Sequence, residues 1–156
     1  MILNVAIVAT LSTAIASAPA PGPGVPPAPT NIQLPPAPPG SPAGIVDAQI
    51  AAYNSGDVAA FAAFYADDVE FFDLGPGNPM TMQGKAALIK QYKPILEKYR
   101  PRARLINRIV DGRFVIDKEQ IAAGDNSNSG AAIYEIVDGK IARVWFTPAV
   151  LRLRPK

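Results

Sequence analysis

One carboxylate in the segment YADDVEFFD, residues 65–73, falls in step with apolar residues rather than with the other acids. If the segment forms a β-strand, its side chains alternate between two faces, so Val69, Phe71 and Asp73 share one face. Apolar surroundings disfavour the charged form of a carboxylate and raise its basicity toward proton abstraction. Asp73 is therefore a candidate general base. The alternative is that Asp73 ends the strand and hydrogen-bonds the turn that follows.

The residue types that are missing limit the chemistry. The sequence has neither Cys nor His, which excludes disulfides, thiolate nucleophiles, sulfur-bound metals and the side chain that most often transfers protons near neutral pH. The acidic residues show no recognisable ligand spacing, and no glycine-rich phosphate loop is present. We predict no metal site and no cofactor, so catalysis would rest on carboxylates, tyrosines, lysines or arginines.

The amino-terminal run, residues 1–18, is typical of a signal peptide. It is apolar and ends in small residues, with Ala14-Ile15-Ala16 and Ala16-Ser17-Ala18 both matching the small-x-small cleavage pattern. No Lys or Arg precedes the apolar run, so a retained membrane anchor is the alternative. Residues 2–16 are shorter than the roughly 20 apolar residues that a spanning helix needs. We predict cleavage, export to the periplasm or the medium, and no stable membrane span afterwards.

A proline-rich segment separates this run from the rest of the chain. Residues 19–42 contain 11 prolines and no charged residue, which predicts a disordered, extended linker. All 15 basic and 13 acidic residues of the 156-residue chain lie from Asp47 onward. That remainder is long enough for one domain and too short for two. We place the domain at residues 43–150 and a basic tail at residues 151–156.

Capping signals predict the helices. Ser41-Pro42 is typical of an N-cap followed by proline at the first helical position, and Gly56 and Asp57 end one helix and cap the next. This second helix is predicted over residues 58–65. A third is predicted over residues 85–93, and Leu96 and Tyr99 could extend it. A kink or break is expected at Pro94, because the proline ring clashes with the carbonyl four residues earlier.

Two Asp-Gly pairs indicate β-hairpins. Asp111-Gly112 and Asp138-Gly139 each lie between alternating apolar runs, which is a strong short-range hairpin signal. The segment between residues 74 and 84 is predicted to be a loop. The order is helix, helix, strand, helix and then a four-strand antiparallel meander, which indicates an α+β fold with the helices on one face of a curved sheet. An apolar, cone-shaped pocket is expected between the two layers.

Three stretches suggest a family. The motifs "AAYNSGDVAAFAAFYADDVEFFD", "GKAALIKQY" and "YEIVDGKIARVWF" resemble the SnoaL-like and ketosteroid-isomerase branch of the NTF2-like superfamily, over about residues 45–146. The resemblance implies an NTF2-like cone in which three N-terminal helices pack on a curved, mostly antiparallel sheet. It does not imply one activity, because this superfamily includes isomerases, cyclases, dehydratases, epoxide hydrolases and non-enzymatic binding domains.

The resemblance also implies roles for single residues. Ketosteroid isomerases have their general base five residues after the second Asp of the "ADD" motif, and Asp73 stands five after Asp68. Their oxyanion-binding tyrosine corresponds to Gln49, and their oxyanion-binding aspartate falls near Ala132. Loss of such donors costs several kcal/mol of transition-state stabilisation, which argues against steroid isomerisation of that kind.

Other residues are candidates for the same site. Tyr53, one turn beyond Gln49, and Tyr134, two residues past the Ala132 position, are candidate oxyanion donors together with Gln49. The alternative for each tyrosine is a core residue whose hydroxyl has a local partner. We expect a small hydrophobic ligand to contact a further set of four residues: Val69, Phe71, Tyr92 and Trp145.

Two functions remain open. The first is an exported, non-catalytic binding or assembly module with an apolar small-molecule pocket. The second is a cofactor-independent isomerase or cyclase that acts on a small hydrophobic carbonyl compound with Asp73 as the base. The eight basic residues between Lys85 and Arg108 are assigned to solvated faces, so no nucleic-acid partner is predicted. The resemblance implies a homodimer that pairs through the exposed face of the sheet.

Overall fold

The computed structural model describes residues 36–124 and 126–148, together with the backbone of residues 150–153. The predicted signal peptide, most of the linker and the end of the tail lie outside the described residues. The helices are α1 (Pro42–Ser55), α2 (Val58–Ala62) and α3 (Lys85–Tyr99). The strands are β1 (Tyr65–Asp73), β2 (Met80–Gln83), β3 (Arg102–Asp111), β4 (Phe114–Ala123), β5 (Asn126–Val137), β6 (Lys140–Phe146) and β7 (Val150–Leu153).

The strands form one curved sheet in the order β2-β1-β6-β5-β4-β3, with β7 paired to the first residues of β5. β1 runs parallel to β6, and the other pairings are antiparallel. Both predicted hairpins are confirmed. Gly112 has a φ of 55°, and Asp138 and Gly139 have φ values of 49° and 74°, the left-handed backbone that tight hairpins need.

The α+β class is confirmed, and the predicted order of two helices, a strand and a third helix is also present, with β2 added before α3. The three N-terminal helices that the resemblance implied are not confirmed. Only α1 and α2 precede the sheet, and α3 follows β2. β2 itself lies in the segment predicted to be a loop. It forms the outer edge beside β1, with Phe71 opposite Met82, so that β1 is paired on both sides from Glu70 to Phe72.

Two further boundaries differ from the predicted ones. α2 ends at Ala62, and Tyr65 already belongs to β1, where it pairs with Ile141 of β6 and is 2% exposed. The free energy gained by burying Tyr65 in the sheet outweighs the helical preference that the spacing of the preceding residues indicates. Residues 151–153, assigned to the tail, form β7 with Val150.

Helix α3 continues through Pro94 to Tyr99, so the chain is not broken at the proline. A proline inside a helix costs about 3 kcal/mol. Leu88, Tyr92 and Leu96 are buried at four-residue spacing on both sides of it, and together their burial exceeds that cost. Tertiary packing therefore holds the helix across the proline.

The predicted caps are confirmed, and they fix the start of the helical layer. The Ser41 side chain accepts a hydrogen bond from the Gly44 amide at 3.1 Å, and Gly56 ends α1 with a φ of 83°. The Asp57 carboxylate accepts the Ala59 and Ala60 amides at 2.9 Å. The hydrophobic core lies between these helices and the inner face of the sheet.

Candidate functional site

A small cavity lies between the helices and the sheet. Its volume is about 30 Å³, which is enough space for a water molecule. Of its eleven lining residues, five are apolar. The six polar ones are Gln49, Tyr53, Tyr65, Tyr92, Glu119 and Tyr134. The cavity therefore combines aromatic walls with a carboxyl, an amide and four hydroxyl groups.

Glu119 is the carboxyl group of this cavity. It lies on β4, on the face that also carries Val115 and Ile121, and it is 8% exposed. The Tyr134 hydroxyl donates a hydrogen bond to its Oε1 atom at 2.8 Å. The register of β4 and β5 places Gly130 directly opposite Glu119 and Val115 opposite Tyr134, so the tyrosine must reach along the strand to make this bond.

Burial raises the pKa of Glu119 to about 7. The hydrogen bond from Tyr134 and the charge of Arg108 act in the opposite direction, and Asp117 adds to the increase. A carboxyl with a pKa near 7 is present in both protonation states at neutral pH. Such a group can give or take a proton at little cost, which is the property of a general acid or base.

The tyrosines around Glu119 remain protonated at neutral pH. Burial raises the pKa of Tyr53, Tyr92 and Tyr134 above the ordinary value of tyrosine, and the nearby Glu119 carboxyl adds to the effect. The rings of Tyr53 and Tyr92 meet edge to face, with centroids 6.3 Å apart, and Phe61 packs on Tyr92 at 5.1 Å. The site therefore offers neutral hydroxyl donors held by aromatic packing.

Gln49 brings an unpaired acceptor to the cavity. Its side chain is buried, 5% exposed, and among the described residues its Oε1 atom has no hydrogen-bond partner. Leaving a buried polar atom unpaired costs roughly 1–3 kcal/mol. A bound molecule with a hydroxyl or N–H group would supply the missing partner.

A second buried acid has a different environment. Asp117 lies two residues before Glu119 on the same strand face, and its side chain is 0% exposed. Arg108 donates to both of its carboxylate oxygens at 2.7 Å and to Asp47 on α1 at 2.6 Å. Burial lowers the pKa of Arg108, but the bonds and charges of Asp117 and Asp47 outweigh it and raise the pKa overall. This network fastens α1 to the sheet.

The structure brings four of the predicted site residues together. Gln49, Tyr53, Tyr92 and Tyr134 all line the cavity. Val69 and Phe71 are buried in the core beneath the helices and do not line it. Trp145 lies on the other face of the sheet, stacked on Phe72 at 5.6 Å, where it lines an open groove.

Asp73 is half-buried at the end of β1, and it is not among the residues that line the cavity. Its backbone amide donates to the Pro79 carbonyl at 3.0 Å. Alternation along β1 places Asp73 on the same face as Val69 and Phe71, which are buried. Asp73 is the last residue of the strand and lies at the edge of the core. The role of Asp73 as a base stays a prediction.

Glu119 was not selected from the sequence. The signal was present, since counting every second residue from Val115 to Ile121 places Asp117 and Glu119 on the buried face. Two of these four alternating positions are acids, and ionised acids are seldom buried unless they are paired. The pattern therefore does not indicate a strand face that packs in the core. The partners Arg108 and Tyr134, which make the burial tolerable, lie 9 and 15 residues away.

In the described part of the chain, no group of three or more acidic side chains is placed to hold a metal ion. Within the same residues, no helix is long and apolar enough to cross a membrane.

The curved sheet, the helical layer and the cavity between them define an NTF2-like α+β cone. The chain belongs to the SnoaL-like domain family, which matches residues 46–144. No curated protein matches the sequence significantly.

Solved structures share the fold. A proposed polyketide cyclase from Xanthomonas campestris is 28% identical, with a TM-score of 0.57 over 69% of this chain and 89% of that one. A proposed ketosteroid isomerase from Kribbella flavida is 21% identical, with a TM-score of 0.56 over 72% and 81%. A computationally designed 17-OHP binder is 15% identical, with a TM-score of 0.62 over 72% and 97%. At these identities the likeness establishes the fold and not a shared activity.

Proposed function

We propose that the protein binds a small, uncharged, largely apolar molecule that carries a hydroxyl or N–H group. The observation that supports this proposal is the buried, unpartnered Oε1 atom of Gln49 in a cavity that also contains Glu119 and Tyr134. A few polar groups that converge inside aromatic walls are typical of ligand sites. The designed 17-OHP binder shows that this fold accommodates a small organic ligand.

The volume of the cavity sets a condition on binding. Pockets for drug-sized ligands measure about 300–1,000 Å³, whereas this cavity measures about 30 Å³. Binding must therefore move side chains from the walls, and the ligand selects a more open conformation. A phenol is a suitable first probe, because its ring matches the aromatic walls and its hydroxyl can donate to Gln49 or to the Glu119 carboxylate.

Isothermal titration with phenol at pH 7 tests the proposal. We expect saturable binding to the parent protein and at least tenfold weaker binding to Gln49→Leu, which removes the acceptor. Asp73→Asn is the matched comparison, because it changes the other candidate carboxyl without changing the cavity wall. The absence of binding to the parent, or equal binding to parent and Gln49→Leu, would contradict the proposal.

A catalytic function is the second candidate, and the pKa of about 7 for Glu119 favours it. The Glu119 carboxylate would take a proton from a carbon next to a carbonyl, and a Tyr53 hydroxyl or the Gln49 amide would donate to the resulting enolate oxygen. If the substrate has a double bond between its β- and γ-carbons, return of the same proton to the γ-carbon moves that double bond into conjugation with the carbonyl. This isomerisation needs no other reactant. This assignment replaces Asp73 by the carboxyl that lines the cavity.

Conversion of 3-cyclohexenone to 2-cyclohexenone, followed by its absorbance, tests this second candidate. Glu119→Gln should lose at least 100-fold in rate, since general-base catalysis contributes about 10²–10⁴-fold. Asp73→Asn should keep the parent rate. The opposite result would assign the base to Asp73, and an inactive parent protein would leave only the binding function.

We also propose that the outer face of the sheet pairs two copies of the chain. Phe114, Ile133 and Trp145 form an apolar groove on this face, and Ile109 is 59% exposed. Arg143 bridges Glu70 and Glu135 on the same face. A two-fold interface places a patch against itself, so a patch with both signs of charge can pair with its copy. Light scattering should give twice the chain mass for the parent and the single mass for Ile133→Glu.

Export stays part of this proposal and rests on the sequence alone. If residues 1–18 direct export, the secreted protein should begin near Pro19. Amino-terminal sequencing of the protein recovered outside the cytoplasm checks this, and an intact Met1 in all of the protein would contradict it.

A further inference from the structure

A second, smaller void adjoins the cavity. Its volume is about 10 Å³, and it reaches Asn128, Gly130 and Ala132 on β5. Three residues line both spaces: Glu119, Ile121 and Phe146. These side chains are therefore the wall between the two, and Phe146 is the largest of them. Removal or rotation of its ring would join the spaces.

Phe146 lies at the border of the core, where its ring stacks on Phe71 with the centroids 6.2 Å apart. It is the last residue of β6, and it is only half-buried, whereas Phe61 and Phe71 are 1% and 2% exposed. Its backbone is fixed, because its carbonyl accepts the Leu74 amide at 2.8 Å and the next residue, Thr147, is hydrogen-bonded to Ala131 at 2.9 Å. A ring at the border of the core on a fixed backbone can change rotamer without moving the strand.

The far side of the wall has room because β5 carries small residues there. Gly130 stands directly opposite Glu119, and Ala132 directly opposite Asp117. Both lie on the face that carries Tyr134. A bulkier residue at position 130 would fill the void next to the Glu119 carboxyl.

We propose that the ligand site enlarges in one direction, across Phe146 into the void beside Gly130, so that the ligand is an elongated molecule. Its polar group is held by Gln49 and Glu119, and its apolar end passes Phe146 toward Gly130 and Asn128. Phe146 and Gly130 then determine ligand length. This inference rests on the proposed binding function and adds the shape of the ligand to it.

Titration calorimetry with phenol and 4-propylphenol tests the direction in which the site enlarges. Each buried methylene strengthens binding about fourfold, so 4-propylphenol should bind to the parent at least tenfold more tightly than phenol. Gly130→Val should remove this preference, so that phenol and 4-propylphenol bind to this variant with affinities within twofold of each other. Ser129→Val, whose side chain points to the other face, is the matched control and should keep the preference.

Phe146→Ala should strengthen 4-propylphenol binding at least fivefold, because no ring has to be moved. Phe146→Leu, which keeps more of the packing, should give a smaller gain in the same direction, and thermal melting checks that both variants fold. If phenol binds but the propyl group adds nothing and Gly130→Val changes nothing, the inference is overturned while the binding function stands. If neither phenol nor 4-propylphenol binds to the parent, the binding function and this inference are both overturned.

Discussion

Asp117 and Glu119 are neighbours on one strand face, yet their buried carboxyl groups have different partners. Asp117 accepts two hydrogen bonds from the Arg108 guanidinium, and its side chain is sealed from solvent. Glu119 receives one hydroxyl bond from Tyr134 and borders a cavity. The first acid is held as part of an ion pair, and the second is poised between its two protonation states. The position of one arginine thus separates a structural acid from a chemical one.

The largest effect is expected from breaking the ion pair. Arg108→Met should lower the free energy of unfolding by about 3–5 kcal/mol at pH 7, because it leaves Asp117 buried without its cation. Urea unfolding followed by circular dichroism measures this loss. Arg104→Met, which removes only an exposed bond to Gln120, is the matched control and should cost less than about 1 kcal/mol.

Replacing both partners sharpens the same test. Arg108→Met combined with Asp117→Leu should recover most of the lost stability, since no charge is then left unpaired in the interior. A double variant as unstable as the single one would show that the charge of Asp117 is not the cause.

The second prediction concerns pH. Glu119 has a pKa of about 7 in the folded protein and an ordinary value of 4.5. Between these values the folded state keeps a proton that the unfolded state has lost, so the free energy of unfolding falls as the pH rises through this window. The fall should reach about 3 kcal/mol between pH 4.5 and 7.

Glu119→Gln should lack this component, because an amide does not titrate. The difference in unfolding free energy between parent and variant, measured in urea at pH 4.5 and pH 8, should therefore change by about 3 kcal/mol. Glu97→Gln, on the exposed side of α3, is the matched amide control. Parallel pH profiles for parent and Glu119→Gln would refute the assignment.

A smaller effect is expected at the hydroxyl. Tyr134→Phe removes the bond that lowers the pKa of Glu119, so this pKa should rise above 7 by roughly one unit. A ¹³C NMR titration of the Glu119 carboxyl measures it. Tyr99→Phe at the end of α3 is the control. An unchanged titration in Tyr134→Phe would mean that the bond does not act on the carboxyl in solution.

The smallest effect is expected at Asp47. Its side chain is 41% exposed, although it contacts the same arginine. Asp47→Asn should cost only about 0.2–1 kcal/mol, because solvent screens the pair and the amide oxygen can still accept. Urea unfolding gives the value. A loss as large as that of Arg108→Met would show that Asp47, and not Asp117, carries the network.

Local signals allowed the sequence to predict the frame of the fold. The Ser41 and Asp57 caps and the two Asp-Gly hairpins are confirmed, because each depends on residues within a few positions. β2 and the passage of α3 through Pro94 depend on contacts with other elements, which local propensity does not contain. This is why β2 was missed and α3 was predicted to kink or break at Pro94.

The sequence predicted part of the cavity lining and missed its carboxyl group. Gln49, Tyr53, Tyr92 and Tyr134 line the cavity and had been selected by spacing and by resemblance. Glu119 had not, because a buried glutamate makes sense only with its distant tyrosine and the adjacent ion pair. Residues whose role depends on long-range partners are the ones that alternation alone cannot assign.

The aromatic residues are divided between the two faces of the sheet in a way that gives the protein two optical reporters. Four of its five tyrosines lie within the cone, and its single tryptophan lies outside, stacked on Phe72. Ultraviolet difference spectra in the tyrosine band should respond to events inside, and indole emission to events on the exterior. Occupancy and self-association can thus be followed in one cuvette without a label.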